Sequence, residues 1–169
     1  MADTPHLLQV EGIKGECRET KYLTWINIES FSWGISNEVT TKGTARSAGV
    51  PDFASFTVTK PTDKASPKLF LACSSGQHFK SAKVVFRRMG KAVTAGQPSS
   101  LDEFFEWTFG DVMVSSYQNG GSDQASASES ISFSAASVSM NYFVMKNGQR
   151  TGGVMAGYDI RKITESVGT

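Results

Sequence analysis

Three long stretches of this chain alternate apolar and polar residues with a period of two, and each one changes its apolar face partway along. In residues 22–36, Ile26 and Ile28 share one parity, while Phe31, Trp33 and Ile35 share the other. A one-residue change of phase sends a strand's apolar set to its opposite face, so a bulge or sharp coil is expected near Glu29 and Ser30. The same device recurs where Phe105, Trp107 and Phe109 give way to Val112 and Val114, with Gly110 and Asp111 at the changeover. It recurs again where Ile131 and Phe133 give way to Val138, Met140, Tyr142 and Val144 across Ala135 and Ala136. Strands that each exchange faces must bend around a small core. The predicted fold is therefore mainly β, a compact two-sheet β-barrel.

Shorter strands are expected at 7–10, 53–60 and 79–87, the last two adding Phe56, Val58, Ala82, Val84 and Phe86 to the interior. Glycines 12 and 15 mark a turn after the first. One segment breaks the β pattern: 63–76 reads as a short helix packed at the barrel's side. Ser66 is its expected N-cap, Pro67 suits the first helical position, and Gly76 suits the stop. Ala65, Leu69, Ala72 and Cys73 fall on one helical face, which makes Cys73 a packing residue. The core is predicted to hold Ile28, Phe31, Trp33, Phe56, Leu69, Val84, Phe86 and Trp107. Two polar loops, 38–51 and 118–130, are long for hairpin connections and read as surface arms. Asn147-Gly148 signals a tight turn into a closing segment at 154–160.

A chain of 169 residues suits one domain, taken here as 1–169, and buries about 70% of its unfolded surface without help from a metal or disulfides. Its 17 basic and 16 acidic residues leave no excess charge to grip phosphate backbones, which argues against nucleic acid. Cys17 and Cys73 lack CxxC spacing and are expected to stay reduced. The N-terminus MADTPHLLQVEG has neither a basic n-region nor an apolar h-region, and no run reaches the ~20 apolar residues of a helical span. Synthesis and folding in the cytoplasm are expected, with any export by a route that reads no cleaved signal.

Enzymatic signatures are lacking. The histidines, His6 in a loose terminus and His78, have no metal-ligand spacing, and no GxSxG elbow is present. Serines 126, 128, 130, 132 and 134 follow a period of two, the polar outer face of a strand. Asp102, Glu103 and Glu106 read as a solvated strand edge. TGGVMAG at 151–157 matches neither phosphate-loop pattern and reads as a turn. No catalytic residue, cofactor or metal site is predicted. Trp33 and Trp107 follow core parity, and Trp25 lies one residue out of phase with Ile26 and Ile28.

Several blocks, in this order and spacing, resemble the haemolysin-coregulated protein (Hcp) family of type VI secretion systems. They are EGIKGE (11–16), WINIESFSWG (25–34), DKASPKLFLACSSGQHF (63–79), DVMVSSYQNGG (111–121), ESISFSAASVSMNY (129–142) and GGVMAGYDIRK (152–162). The resemblance implies a barrel with one helix at its side, similar to phage tail-tube proteins. It implies hexameric rings that stack into an inner tube, are propelled by a contracting sheath and are secreted. Its partners would be further copies of itself, the sheath, baseplate and spike proteins, and small effectors held in the lumen. Membrane insertion is not implied. Seven residues follow Lys162, so no fused effector domain is expected. The chain departs from its relatives at NEVTTKGTARSAGVPDF, where many are glycine-rich.

Within that frame, Thr41, Lys42, Gly43, Thr44, Ala45, Arg46, Ser47 and Gly49 are the expected inter-subunit loop. Ser32 and Ser36, placed opposite in parity to Phe31 and Trp33, are the expected lumen-facing residues. The competing readings are a monomeric β-sandwich ligand-binding module and a hydrolase of unfamiliar type.

Overall fold

The computed structural model describes residues 5–89, 101–121, 127–146 and 149–165. Along these the chain forms β1 (His6–Val10), a 3-10 turn (Thr20–Tyr22), β2 (Ile26–Ile28), β3 (Ser30–Ser32), β4 (Ile35–Ser36), β5 (Val39–Lys42), β6 (Ala45–Ala48) and β7 (Asp52–Phe53). Then follow β8 (Phe56–Pro61), α1 (Ser66–Ser75), β9 (His78–Met89), β10 (Leu101–Gly120), β11 (Ser128–Lys146), β12 (Gln149–Asp159) and β13 (Thr164–Glu165).

The main sheet runs β13-β12-β11-β10-β9-β1-β2, and β11 also pairs with β8, which pairs with β3. β2 and β3 are consecutive pieces of one bent strand: β2 pairs with β1, and β3 pairs with β8. The wall is therefore completed through the chain at Glu29, not by an unbroken ladder. At that corner the Glu29 N–H donates to the Thr59 carbonyl at 2.8 Å. The predicted change of face thus appears as a change of partner strand.

The other face changes line up across the sheet. Phe79 pairs with Val112 on one side of a kink, and Ala82 pairs with Phe109 on the other. On the third strand Phe133 lies opposite Val114 and Val138 opposite Phe109. All seven residues are buried. Asp111 takes φ 48° at the kink, which lets β10 bend while its registers to β9 and β11 resume at Val112. β11 changes partners here too, pairing with β8 up to Phe133 and with β12 from Ser137.

Ile28, Phe56, Leu69, Val84, Phe86 and Trp107 sit in the main core. Two expectations are corrected. Phe31 faces inward opposite Val58 but remains 38% exposed, because it lies at the rim where β3 ends after three residues. Its ring packs edge-on against Trp107 at 5.5 Å, and it also meets Phe86 and His6. Ile35 is exposed, and Trp33 is half-buried against the core. The long strand expected over 22–36 is instead three short pieces, since each bend ends a ladder.

α1 begins at Ser66 behind Ala65, so Ser66 is the first helical residue and not the N-cap. Among the described residues no side chain caps the helix's own N–H groups; the turn leading into it is fixed instead, with Asp63 Oδ1 accepting from the Ala65 N–H at 2.9 Å and Ser66 Oγ accepting from the Asp63 N–H at 3.0 Å. Gly76, at φ 66°, closes the helix in the left-handed region. Ala65, Leu69 and Ala72 are buried against the barrel and Cys73 is half-buried beside them. Cys17 and Cys73 are not joined in a disulfide. A second, smaller cluster of Leu7, Cys17, Tyr22 and Val85, with Trp25 against it, lies apart from the main core.

The loop expectations change as well. Residues 38–51 carry the hairpin β5–β6, turned at Gly43 with φ 63°. β10 continues to Gly120 and β11 starts at Ser128, which shortens the second loop; its residues 122–126, like the 147–148 turn, fall outside the described residues. The glycine-rich 151–157 is not a turn but part of β12. There Gly153 lets the strand lie close to β11, since an added Cβ would stand 2.9 Å from Asn141 Oδ1.

Candidate functional site

Among the described residues no group of three or more His, Cys, Asp or Glu side chains is arranged to hold a metal. His6 is the first residue of β1, not part of a loose terminus, and its ring packs between Phe31 and Phe86. His78 lies in an exposed ion cluster, with Nδ1 2.7 Å from Asp111 Oδ1 and Arg161 Nη1 3.0 Å from Asp111 Oδ2. The hydrogen bond with His78 is the main reason that the Asp111 carboxyl titrates below its usual range. Ser126 falls outside the described residues; the rest of the serine row, from Ser128, lies on β11, with Ser132 Oγ 2.8 Å from Thr57 Oγ1 on β8.

The acidic edge at 102–106 is corrected at Glu103. This carboxylate is largely buried and accepts hydrogen bonds from Tyr22 and Arg150, with Lys21 Nζ at 2.9 Å. Burial alone would raise its pKa, but the bonds from Tyr22, Lys21 and Arg150 together pull it below the usual value. Tyr22 is pushed the other way, by burial and then by its bond to Glu103. Nearby, the buried Arg87 pairs with Glu19, and its guanidinium lies 4.9 Å from the centre of the Tyr22 ring. These groups clasp the 17–25 segment to β9, β10 and β12.

A second ionic cluster lies inside the barrel. Lys60 Nζ is fully buried, 3.0 Å from Glu129 Oε2, 2.8 Å from Asp63 Oδ1 and 2.7 Å from the Pro61 carbonyl. Tyr117 donates to Glu129 Oε1 at 2.8 Å, and Asn119 does so at 3.2 Å. Sequence reasoning missed this cluster although its signal was present. Lys60 shares parity with Phe56 and Val58, and Glu129 shares parity with Ile131 and Phe133, so both had to point inward. Each of these groups ties one element to another, a structural arrangement.

The surface features that stand out are apolar and unpaired. Every residue of β5 and β6 is exposed, as are all eight expected inter-subunit loop residues. Its root closes through the Gly49 N–H and the Glu38 carbonyl at 2.8 Å. Beside the root, β4 and β7 form a two-residue ladder, Ile35 opposite Phe53 and Ser36 opposite Asp52. Between that ladder and the β11–β12 ribbon runs an open groove of about 400 Å³, bounded by Trp33, Ile35, Phe53, Met140, Ala156 and Tyr158. It adjoins a smaller cavity of about 180 Å³ that reaches Phe109 and Phe133 and is flanked by Asp52. The apolar face of the ribbon continues past the groove: Tyr142 and its cross-strand partner Val154 are both exposed. Ser32 and Ser36 are exposed too, on the strand pieces leading to the hairpin.

The sequence matches the family described as "Type VI secretion system effector, Hcp" over residues 7–142. It is 35% identical to Protein hcp1 of Pseudomonas aeruginosa across 107 residues, which is 62% of this chain and 62% of the length of that relative. A solved structure described as a type six secretion system protein superposes with a TM-score of 0.84 at 26% identity, covering 95% of this chain and 98% of the other. Hcp1 from Salmonella typhimurium superposes with a TM-score of 0.72 at 26% identity, over 95% and 97% of the two chains.

Proposed function

The chain belongs to the type VI secretion Hcp family, and from that premise we propose that it is a structural subunit of the secretion machine's inner tube, acting as one domain over residues 1–169. Six copies close head-to-tail into a ring, because a heterologous contact that closes makes a ring and one that does not makes a filament. Rings stack into a tube that a contracting sheath drives outward, with baseplate and spike proteins at its end. The subunit is made in the cytoplasm, is secreted and carries small effectors in the ring's lumen. Its role is mechanical, with no catalysis, cofactor, nucleic acid or membrane insertion. No helix among the described residues is long and apolar enough to cross a membrane.

The observation that carries this reading is the hairpin β5–β6. Two strands with every side chain exposed gain little from folding alone, and an isolated hairpin is marginal in water. A second copy supplies the missing cover. Native mass spectrometry with negative-stain imaging tests the reading, and sixfold mass with ring-shaped particles is the expected result. Deleting 42–49 should leave a folded monomer that no longer assembles; intact rings in that variant would remove the hairpin from the assembly contact. A protein that stays monomeric at every concentration yet binds a ligand saturably would favour the binding module.

Ser32 and Ser36 are assigned to the lumen on their small polar side chains, which suit a passage that holds cargo without adhering to it. Ser32→Trp should preserve the ring and abolish cargo retention. Unaltered retention would place Ser32 elsewhere.

A further inference from the structure

A hairpin that reaches a neighbouring subunit needs a landing surface, and the groove beside β12 has the complementary chemistry. Its boundary is almost wholly apolar, and Ile35 and Val154 are exposed at and beyond its lip. β12 also offers an open backbone edge. Its ladder to β13 involves only Tyr158 and Asp159, so residues 149–157 have no strand on that side among the described residues. An open edge beside an apolar face is the setting in which a protein accepts an added strand: the backbone supplies hydrogen bonds and the face supplies burial.

The hairpin matches from the other side. Among the described residues β5 and β6 pair only with one another, so each has a free outer edge there. Lys42 and Arg46 are the charged residues between Val39 and Ala48, which makes the hairpin purely cationic. Among the residues bordering the groove and its adjoining cavity the one charged side chain is Asp52, exposed and in no ion pair among the described residues. A cationic hairpin is thus matched by an acidic lip.

We infer that the groove and the open edge of β12 form the acceptor for the β5–β6 hairpin of a second copy of this chain. The inference rests on the tube reading for the existence of a neighbour, and it adds where that neighbour's hairpin lands. Donor and acceptor are different patches of one surface, so the contact is heterologous and repeats from copy to copy until the ring closes. Each copy covers the apolar face of the next, and its cations lie toward Asp52.

Disulfide trapping in the full-length chain, with Cys73 replaced by serine, tests the contact. Thr44→Cys together with Ala156→Cys should give a ladder of covalent oligomers on oxidation. Either cysteine alone can give at most a dimer. In parallel, Asp52→Lys should cut the assembled fraction at least tenfold at fixed concentration, and combining it with Lys42→Glu and Arg46→Glu should restore assembly. Rings that form normally, give no ladder beyond the dimer and ignore Asp52→Lys would overturn this acceptor while leaving the tube reading intact. A wild-type chain that never self-associates would overturn both.

Discussion

Lys60 and Glu129 face one another across β8 and β11 as the next inward pair after Val58 and Ile131, with Nζ 3.0 Å from Oε2 and both side chains fully buried. An ion pair therefore occupies a place in the barrel's interior rows that an aliphatic pair would otherwise fill. Removing Lys60 alone leaves the Glu129 charge buried and uncompensated, whereas replacing both removes that charge; Asp63, the lysine's second carboxylate partner, loses its cation either way. Lys60→Met alone should cost about 3–5 kcal/mol. Lys60→Met with Glu129→Leu should cost far less. Urea unfolding of the two variants checks this, and equal losses would show that the pair's surroundings, not its charge balance, set the cost.

Stability should fall in acid because of two carboxylates. Burial alone would raise the Glu129 pKa, but hydrogen bonds from Ser66, Lys60 and Tyr117 and the charge of Lys60 outweigh it, so the folded value lies below the ordinary one. Glu103 behaves likewise. A group with a depressed folded pKa contributes its full stability above the unfolded value, about 4.3 for glutamate. Below that, unfolded chains take up protons first, and the contribution is lost as pH falls through the folded pKa. Denaturation midpoints should decline gently below about 6.5, where burial and then Arg87 keep folded His6 from taking up the proton that the unfolded chain binds, and drop more steeply below about 4.3. Glu103→Gln and Glu129→Gln should flatten the drop; a wild-type slope in both would exclude these groups as its source.

Much of this fold was legible because period-two alternation reports faces directly. The three phase changes marked real bends at Glu29, at Asp111 and between Phe133 and Val138. Alternation does not report where a wall ends. Phe31 has core parity and three aromatic neighbours, yet it lies on the rim and is partly exposed. Nor did it separate a polar loop from a polar hairpin at 38–51, since β5 and β6 bury nothing and so carry no apolar pattern. Glu103 was misread because its partners, Lys21, Tyr22 and Arg150, lie far away in sequence. The apolar groove was hidden for the same reason: it joins β4 and β7 to β11 and β12, and its residues look like ordinary core positions in their own strands.

Two glycines at close approaches should differ sharply in their tolerance of alanine. A Cβ at Gly15 would stand 2.4 Å from the Trp25 carbonyl oxygen and 2.7 Å from Ile26 Cα, both backbone atoms held by β2 and its neighbours. The Gly15 N–H also donates to the Thr24 carbonyl at 2.7 Å, which fixes that approach. At Gly110 the nearest atom, also at 2.4 Å, is the Ser137 hydroxyl, which can rotate away. Gly15→Ala should therefore cost about 1–3 kcal/mol or more, as overpacking does, and Gly110→Ala much less. Thermal melts of the two variants decide it, and similar losses would mean that Ser137 is locked in place.

Trp107 offers a substitution that removes a burden along with a contact. Its indole stands at the centre of the aromatic core, 4.8 Å from Phe86 and 5.5 Å from Phe56 between ring centres, and only 7% of it is exposed. Its Nε1–H is buried without a hydrogen-bond acceptor among the described residues. An unsatisfied buried donor costs about 1–3 kcal/mol, and losing a large buried ring costs about 3–5 kcal/mol. Phenylalanine keeps most of the ring and discards the donor, so Trp107→Phe should come within about 1 kcal/mol of wild type, the cavity left by the smaller ring offset by relief of the N–H. Trp107→Ala, which relieves the donor but empties the site, should lose about 3–5 kcal/mol. Urea midpoints for both variants supply the comparison; a phenylalanine variant as unstable as the alanine one would mean that the indole N–H is satisfied in solution.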